Sequence, residues 1–184
     1  MFRQLTVLLA ATCATAAVAQ NELLEAIWNA YDSRMVNQTD KWFNDGDFPR
    51  CIQILRINHE LKPFDYEITT DLGWMLGNIE RPDEELQIYI EYRKAYPNYK
   101  DAALPEATFY FLKKMYDRIP AILEPKMHMK PHPNNFRILA HAYEKTGQLQ
   151  KSKETWEKYI ELMPGDDAAK KNLERVTKKL QEQK

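Results

Sequence analysis

The sequence contains little glycine, which is typical of turns between strands, and little cysteine, whose disulfides stabilise small domains. Its 184 residues include five glycines and two cysteines, and one of these, Cys13, lies in the apolar N-terminal segment. Cys51 alone remains beyond that segment, so no internal disulfide forms there and apolar packing must stabilise the fold. We expect Cys51 to be a small buried side chain. The alternation of Val, Ile and Thr that marks strands is missing, which favours an all-α protein.

An excess of charge of one sign is also lacking. The chain has 26 Lys and Arg against 27 Asp and Glu, a formal net charge of −1. This balance gives no reason to expect binding to nucleic acid or to an anionic membrane. The sequence has no Gly-rich phosphate loop, no recognisable Ser or Cys nucleophile, and no HExxH or CxxC motif. We therefore predict a protein that is not an enzyme and that uses no cofactor.

The N-terminal segment has the features of an export signal. Arg3 precedes a mainly apolar run over residues 5–18, and Ala17-Val18-Ala19 fits the small-x-small cleavage pattern. We predict that residues 1–19 are a cleaved signal peptide and that the protein is exported, to the periplasm or outside the cell. A membrane anchor is the alternative, but the run is short for a span of about 20 apolar residues. Lipid attachment at Cys13 is a minor alternative.

The clearest structural pattern lies in residues 133–166, which predict two helices and a tight turn. The first helix carries one apolar stripe, Gly147 then breaks the pattern as a C-cap glycine does, and Pro164-Gly165 ends the second helix. The first stripe consists of Phe136, Leu139, Ala140 and Tyr143, and the second of Leu149, Ser152, Trp156, Tyr159 and Ile160. A pair of short helices does not bury its apolar face alone, so neighbouring pairs are expected.

This pattern, Phe-x2-Leu-Ala-x2-Tyr followed by Ser-x3-Trp and then Pro, resembles the tetratricopeptide (TPR) signature. Four prolines repeat it at steps of 34, 34 and 33 residues, namely Pro63, Pro97, Pro131 and Pro164. The TPR period is about 34 residues. The resemblance covers residues 33–166 and implies a right-handed α-solenoid of about four TPR helix pairs, with repeats near 30–63, 64–97, 98–131 and 132–166.

The ends of the chain and the third repeat depart from the plain pattern. Residues 167–182 predict a C-terminal capping helix with one apolar stripe. An N-terminal helix with an apolar stripe over residues 23–31 either covers the first repeat or runs on through residue 44. In the third repeat, Pro125 is expected to kink or end the second helix about a turn early. Residues 20–184 are predicted to form a single solenoid domain.

The resemblance implies a ligand in the concave groove, which the first helix of each pair lines. The candidate groove residues, placed by register alone, are Phe43, Trp74, Phe111, Arg137, His141 and Glu144. Trp74 beside Gly77 is the position most favourable for a ligand, because glycine leaves room against an indole face. Such a groove suits an extended, partly apolar peptide, so we expect a protein or peptide partner and a scaffold or adaptor role. The alternative is that the aromatic residues belong to the core and the charged ones to a solvated helix face.

A second hypothesis concerns a short run rich in methionine and histidine. Met127, His128, Met129 and His132 lie within six residues. Thioether and imidazole groups suit Cu(I), which an exported protein can meet. The alternative is that the methionines straddle the end of a repeat helix and that the histidines lie at the surface.

Overall fold

The computed structural model describes the backbone of residues 2–182 and the side chains of residues 20–182. The side chains of the predicted signal peptide, including Cys13, lie outside the described residues. All regular structure in the described range is helical, as the composition predicts. The α-helices are α1 (Phe2–Asn44), α2 (Phe48–Leu61), α3 (Tyr66–Asn78), α4 (Pro82–Ala95), α5 (Leu104–Leu112), α6 (Ile119–Leu123), α7 (Pro133–Lys145), α8 (Leu149–Leu162) and α9 (Asp167–Glu182).

The chain divides into two compact units, an N-terminal unit Met1–Ile54 and a C-terminal unit Leu55–Lys184. In the N-terminal unit, α1 runs without a break to Asn44, which decides between the two alternatives for that segment. Cys51 is fully buried, as expected, and its thiol donates to the carbonyl of Thr39 at 3.6 Å. Burial and the nearby Asp47 raise the pKa of this thiol. A single domain over residues 20–184 stays a prediction.

The C-terminal unit is built from packed helices, and one glycine sets the distance between α3 and α4. A Cβ at Gly73 would lie 2.3 Å from Cε1 of Tyr89, so only glycine admits the tyrosine ring at this position. The resulting core continues through α5, α6 and α7, where Ile119, Leu123 and Ala142 are fully buried. Trp156 of α8 is also fully buried, in a second cluster with Val176 of α9.

Each repeat turns between its two helices in the same way. In each turn, one residue has a left-handed backbone conformation. These residues are Gly46, Glu80, Lys114 and Gly147, with φ of 74°, 61°, 60° and 77°. They follow one another at the same steps of 34, 34 and 33 residues as the four prolines. In the last turn, Gly147 N–H donates to Glu144 O at 3.3 Å and Gln148 N–H to Tyr143 O at 2.8 Å. These two bonds define a Schellman motif, which ends a helix and satisfies its last carbonyls.

The third repeat is irregular, and the prolines explain why. Its first helix, α5, has 9 residues, and α6 has only 5. A 3₁₀ helix, Tyr116–Arg118, precedes α6, and a second one, Glu124–Met129, follows it. Pro125 lies at the start of the second 3₁₀ helix, so the prediction that it ends the α-helix early is confirmed.

Candidate functional site

Two adjoining cavities form a groove in the C-terminal unit along the first helices of successive pairs. One has a volume of about 270 Å³ and is lined by residues of α3, α4 and α5. The other, of about 360 Å³, is lined by α5, α7, α8 and α9. Leu112, which is 71% exposed, lines both cavities. We use "the groove" for the surface formed by Trp74, Lys113, Leu112, Phe111, Arg137, His141 and Asn172.

Trp74 lies at the α3 end of the groove and is 53% exposed. The space beside it differs from the expected one, because a Cβ at Gly77 would lie 2.5 Å from Oε2 of Glu85. The carboxylate of Glu85 therefore occupies the room that glycine leaves, and the indole is not the only wall of this cavity. Burial raises the pKa of Glu85, and the charge of Lys113 acts against that rise. This end of the groove thus combines an indole face with one acid and one base.

Three aromatic rings follow one another in the second cavity. The ring centroid of Phe111 lies 5.9 Å from that of His141, and His141 lies 4.9 Å from Trp156, edge to face. Phe111 is half-buried and packs against the core, so it takes part in both the core and the groove. Burial lowers the pKa of His141 below its usual value, although Glu144 acts in the opposite sense. The histidine is therefore neutral at pH 7 and contributes an aromatic surface.

Arg137 is the basic residue of the second cavity, and its side chain is exposed. The acid that lines the same cavity, Asp166, is already engaged. It accepts from Tyr159 Oη at 2.8 Å and from the N–H of Ala169 at 3.0 Å, and so begins α9. The hydrogen bond from Tyr159 and these backbone contacts lower the pKa of Asp166. The charge of Arg137 also lowers the pKa of Asp166, so the guanidinium lies near this carboxylate while the arginine stays exposed at the cavity.

Glu144 has a different position from the other groove candidates. Its side chain is 6% exposed, and its carboxylate lies 2.6 Å from Arg175 Nη2 and 2.8 Å from Lys179 Nζ. Both cations belong to α9, so this residue joins α9 to α7. The hydrogen bond from Arg175 is the largest cause that lowers the pKa of Glu144, to about 2. Sequence register alone gave no indication of this partner, which lies 31 residues further along the chain.

Phe43 belongs to the N-terminal unit and is described there by itself. Its side chain is 41% exposed, and its ring centroid lies 5.7 Å from that of Phe48. It lies on the last turn of α1, and its place in a ligand groove stays a prediction.

The residues of the methionine and histidine run have separate structural surroundings. Met127 is partly buried and packs against both core clusters. Nδ1 of His132 accepts from the N–H of Asn134 at 3.2 Å and caps α7, while His128 is exposed. Among the described residues, no group of three or more His, Cys, Asp or Glu side chains is placed to hold a metal ion. Binding of copper by this run stays a prediction.

Sequence reasoning missed two contributions to the groove. Leu112 is four residues after Thr108, which also lines the second cavity, so the two lie on one face of α5, and the helical period contained this signal. Asn172 comes from α9, which the pattern marks only as a cap. Over the described part of the chain, no helix is long and apolar enough to cross a membrane.

Comparison with known proteins identifies the fold. No protein-family model matches the sequence, and no curated protein matches it either. Several solved structures do match. MamA from Desulfovibrio magneticus RS-1, from residue 41 to its end, is 19% identical with a TM-score of 0.64, over 80% of this chain and 84% of that one. A further MamA structure is 18% identical with a TM-score of 0.63, over 76% and 82%.

A third solved structure, MamA AMB-1, is 14% identical with a TM-score of 0.62, over 78% of this chain and 86% of that one. MamA is a TPR-like all-helical protein. At these identities the likeness concerns the fold alone. The chain thus has the fold of an α-solenoid of the TPR type.

Proposed function

We propose that this protein is a binding scaffold or adaptor without catalytic activity, and that it takes an extended segment of a partner protein into the groove. The observation that carries the proposal is that two neighbouring cavities share Leu112, a large apolar residue that is 71% exposed. Large apolar side chains at a concave surface are typical of interaction sites. An open, elongated groove suits an extended peptide better than a compact substrate.

The chemistry of the groove narrows the kind of segment that it fits. Trp74 and Leu112 offer apolar surface for aliphatic or aromatic side chains of the partner. Arg137, at the other cavity, suits a carboxylate or a backbone carbonyl, because a guanidinium presents several donors in one plane. We therefore expect a segment that carries two or more apolar side chains followed or preceded by an acidic group.

The proposal is tested with a displayed library of unstructured peptides, selected on the full-length protein. Selected peptides are then measured by fluorescence anisotropy against the wild type, Trp74→Ala and Leu112→Ala. Since central apolar anchors dominate interface energies, each substitution is expected to weaken binding by about tenfold or more. Arg137→Met should weaken only those peptides that carry an acidic group, and the loss should shrink at high salt.

Leu162→Ala is the matched control, because Leu162 is 45% exposed at the end of α8 and lines neither cavity. It should leave both affinity and melting temperature unchanged. Trp74→Ala should likewise leave helicity and melting nearly intact. A Trp74→Ala protein that unfolds, or that binds the selected peptides as well as the wild type does, would contradict the proposal.

We propose further that the scaffold acts outside the cytoplasm, in the periplasm or extracellular space, after removal of residues 1–19. The support is the sequence of the N-terminal segment, with its apolar run and Ala17-Val18-Ala19. Expression of the full-length chain in a secreting bacterial host, with N-terminal sequencing of the exported product, tests this. A first residue of Gln20 is the expected result, and an uncleaved chain retained in the cytoplasm would contradict it.

A further inference from the structure

A separate cavity of about 500 Å³ lies between the start of α3 and the end of α4. Four tyrosines line it, Tyr66, Tyr92, Tyr96 and Tyr99, together with Phe64. We call this set the tyrosine cage. It shares no residue with the groove. Its volume falls within the range of roughly 300 to 1,000 Å³ that is usual for small-ligand sites.

The rings of the tyrosine cage are inclined to one another, so they present their faces in several directions. Tyr92 is the centre of the set. Its ring centroid lies 4.9 Å from that of Tyr96 at 47°, 6.1 Å from Tyr66 at 63°, and 6.4 Å from Tyr99 at 89°. Tyr92 is 4% exposed, and its hydroxyl donates to the carbonyl of Phe64 at 3.0 Å. The centre of the cage is therefore fixed by the fold, while Tyr99 and Phe64 are 39% and 65% exposed.

Carboxylates add negative charge around these rings. Asp65 and Glu67 line the cavity itself. Burial raises the pKa of Tyr99, and the negative charges of Asp101 and Glu67 raise it further, so both acids lie close to this ring. Asp101 is held in place, since its Oδ1 accepts from the N–H of His132 at 2.7 Å and from Asn135 Nδ2 at 2.9 Å. A cavity with aromatic faces and acidic walls attracts cations and repels anions.

We propose that the tyrosine cage binds a quaternary ammonium group. The negative face of each ring attracts a cation, and the attraction is strongest where the cation loses little hydration. A primary ammonium is strongly hydrated and gives up three hydrogen bonds to water when it enters an aromatic site. A quaternary ammonium has no N–H to satisfy and packs its methyl groups against the rings. The ligand is either a small choline-like molecule or a trimethylated lysine of a protein, and the site is independent of the groove.

The first experiment titrates choline into the full-length protein labelled with ¹³C on its tyrosine rings, and follows the ring signals by NMR at constant ionic strength. The neutral isostere 3,3-dimethyl-1-butanol is titrated in parallel. Saturable shifts of the cage tyrosines with choline, and no comparable shifts with the alcohol, are expected because the two ligands differ only in charge. Equal response to both would mean simple apolar binding and would overturn the proposal.

Variants then assign the binding to the cage. Tyr96→Leu and Tyr99→Leu should each weaken choline binding by about fivefold, as loss of one ring face predicts. Tyr99→Phe should retain most of the affinity, since the ring face stays. Glu67→Gln, at an exposed acid whose loss does not disturb packing, should weaken binding about twofold. Tyr116→Leu is the matched control, because Tyr116 packs against Phe111 and lies outside the cage.

Three peptides separate the two sources of the cation: one with trimethyl-lysine, one with unmodified lysine and one with arginine at the same position. Binding of the trimethylated peptide at least as tight as that of choline would support a protein side chain. Binding of choline alone would support a small molecule. The proposal is overturned if lysine or arginine binds as well as the trimethylated residue, or if the Tyr96 and Tyr99 variants bind like the wild type.

Discussion

The third and fourth repeats follow the same sequence period but differ in the length and continuity of their helices. The fourth repeat has two continuous helices of 13 and 14 residues, α7 and α8. The third has a first helix of 9 residues, and its second helix is divided into α6 and two 3₁₀ segments. Both repeats nevertheless turn at the same register, at Lys114 and Gly147. Unbroken helices are therefore not needed to keep the period of the solenoid.

Tertiary contacts with neighbouring helices hold the third repeat in place. Ile119 and Leu123 of its divided second helix are fully buried. Glu106 of α5 is 2% exposed, and its carboxylate accepts from Nε and Nη2 of Arg93 in α4, at 2.5 and 3.3 Å. The carboxylate of Glu124 accepts from the hydroxyl of Tyr143 in α7. The third repeat is thus held by contacts with the helices on both sides, whereas both helices of the fourth repeat have continuous backbone hydrogen bonding.

The largest effect is expected from Arg93→Ala, which removes the partner of the buried Glu106. Breaking a buried ion pair from one side leaves an uncompensated charge and costs about 3 to 5 kcal/mol. The matched control lies in the fourth repeat, where Lys153 and Glu157 form an i, i+4 pair with side chains 29% and 44% exposed. Lys153→Ala should cost about 0.5 kcal/mol or less. Urea unfolding followed by circular dichroism measures the free energy of unfolding of both variants. Equal losses of stability would mean that the third repeat does not depend on the ion pair between Arg93 and Glu106.

Leu123→Ala should cost about 2 to 5 kcal/mol, because it leaves a cavity in a closely packed core. This loss is expected although Leu123 belongs to a helix of only 5 residues. Leu112→Ala, at the exposed end of α5, provides the contrast and should change the free energy of unfolding by about 0.5 kcal/mol or less. The same urea series gives both values. A small loss at Leu123 would show that the divided helix is loosely packed, in contrast to α8.

Glu144→Gln tests the attachment of α9 to the fourth repeat. The substitution replaces a nearly buried carboxylate between Arg175 and Lys179, and we expect a loss of about 1 to 3 kcal/mol at pH 7. The pKa of Glu144 is about 2, below the ordinary value of about 4.3. Its contribution to stability is therefore complete above about pH 4.5 and disappears as the pH falls from there towards 2.

The measurement is the difference in free energy of unfolding between the wild type and Glu144→Gln, followed from pH 7 to pH 2. The difference should shrink over that window. A constant difference would indicate that the carboxylate charge does not hold α9. Glu154→Gln, at an exposed residue of α8, is the control and should show no such pH dependence.

The features that the sequence predicted correctly depend on local chemistry. The proline period, the left-handed turn at Gly147 and the early end of the helix at Pro125 each follow from the backbone preferences of one residue. The C-terminal helix over residues 167–182 follows from its apolar period. Burial of Cys51 follows from its small apolar side chain.

The features that the sequence did not predict depend on contacts between residues that are distant in the chain. The carboxylate of Glu85 above Gly77 and the pairing of Glu144 with α9 are decided by how helices pack, and no local pattern encodes them. The tyrosine cage likewise joins Tyr66 to residues more than 25 positions away. Sequence register placed Trp74 and Arg137 along one groove but left the walls of that groove unknown.

Substitutions in the turns are expected to have the smallest effects on stability, and they test whether the third and fourth repeats use the same turn conformation. Lys114 has a left-handed conformation at φ 60°, which costs a residue with a Cβ about 1 kcal/mol relative to glycine. Lys114→Gly should therefore stabilise the protein by about 0.5 to 1 kcal/mol, and Gly147→Ala should destabilise it by about 1 kcal/mol. Open space surrounds the position of a Cβ at Gly147, so the loss reports backbone strain and not a clash. Chemical denaturation of the two variants and of the double variant gives the values. Opposite shifts that add would show that both repeats use one turn conformation, whereas a loss at Lys114→Gly would mean that the lysine side chain itself holds the irregular repeat.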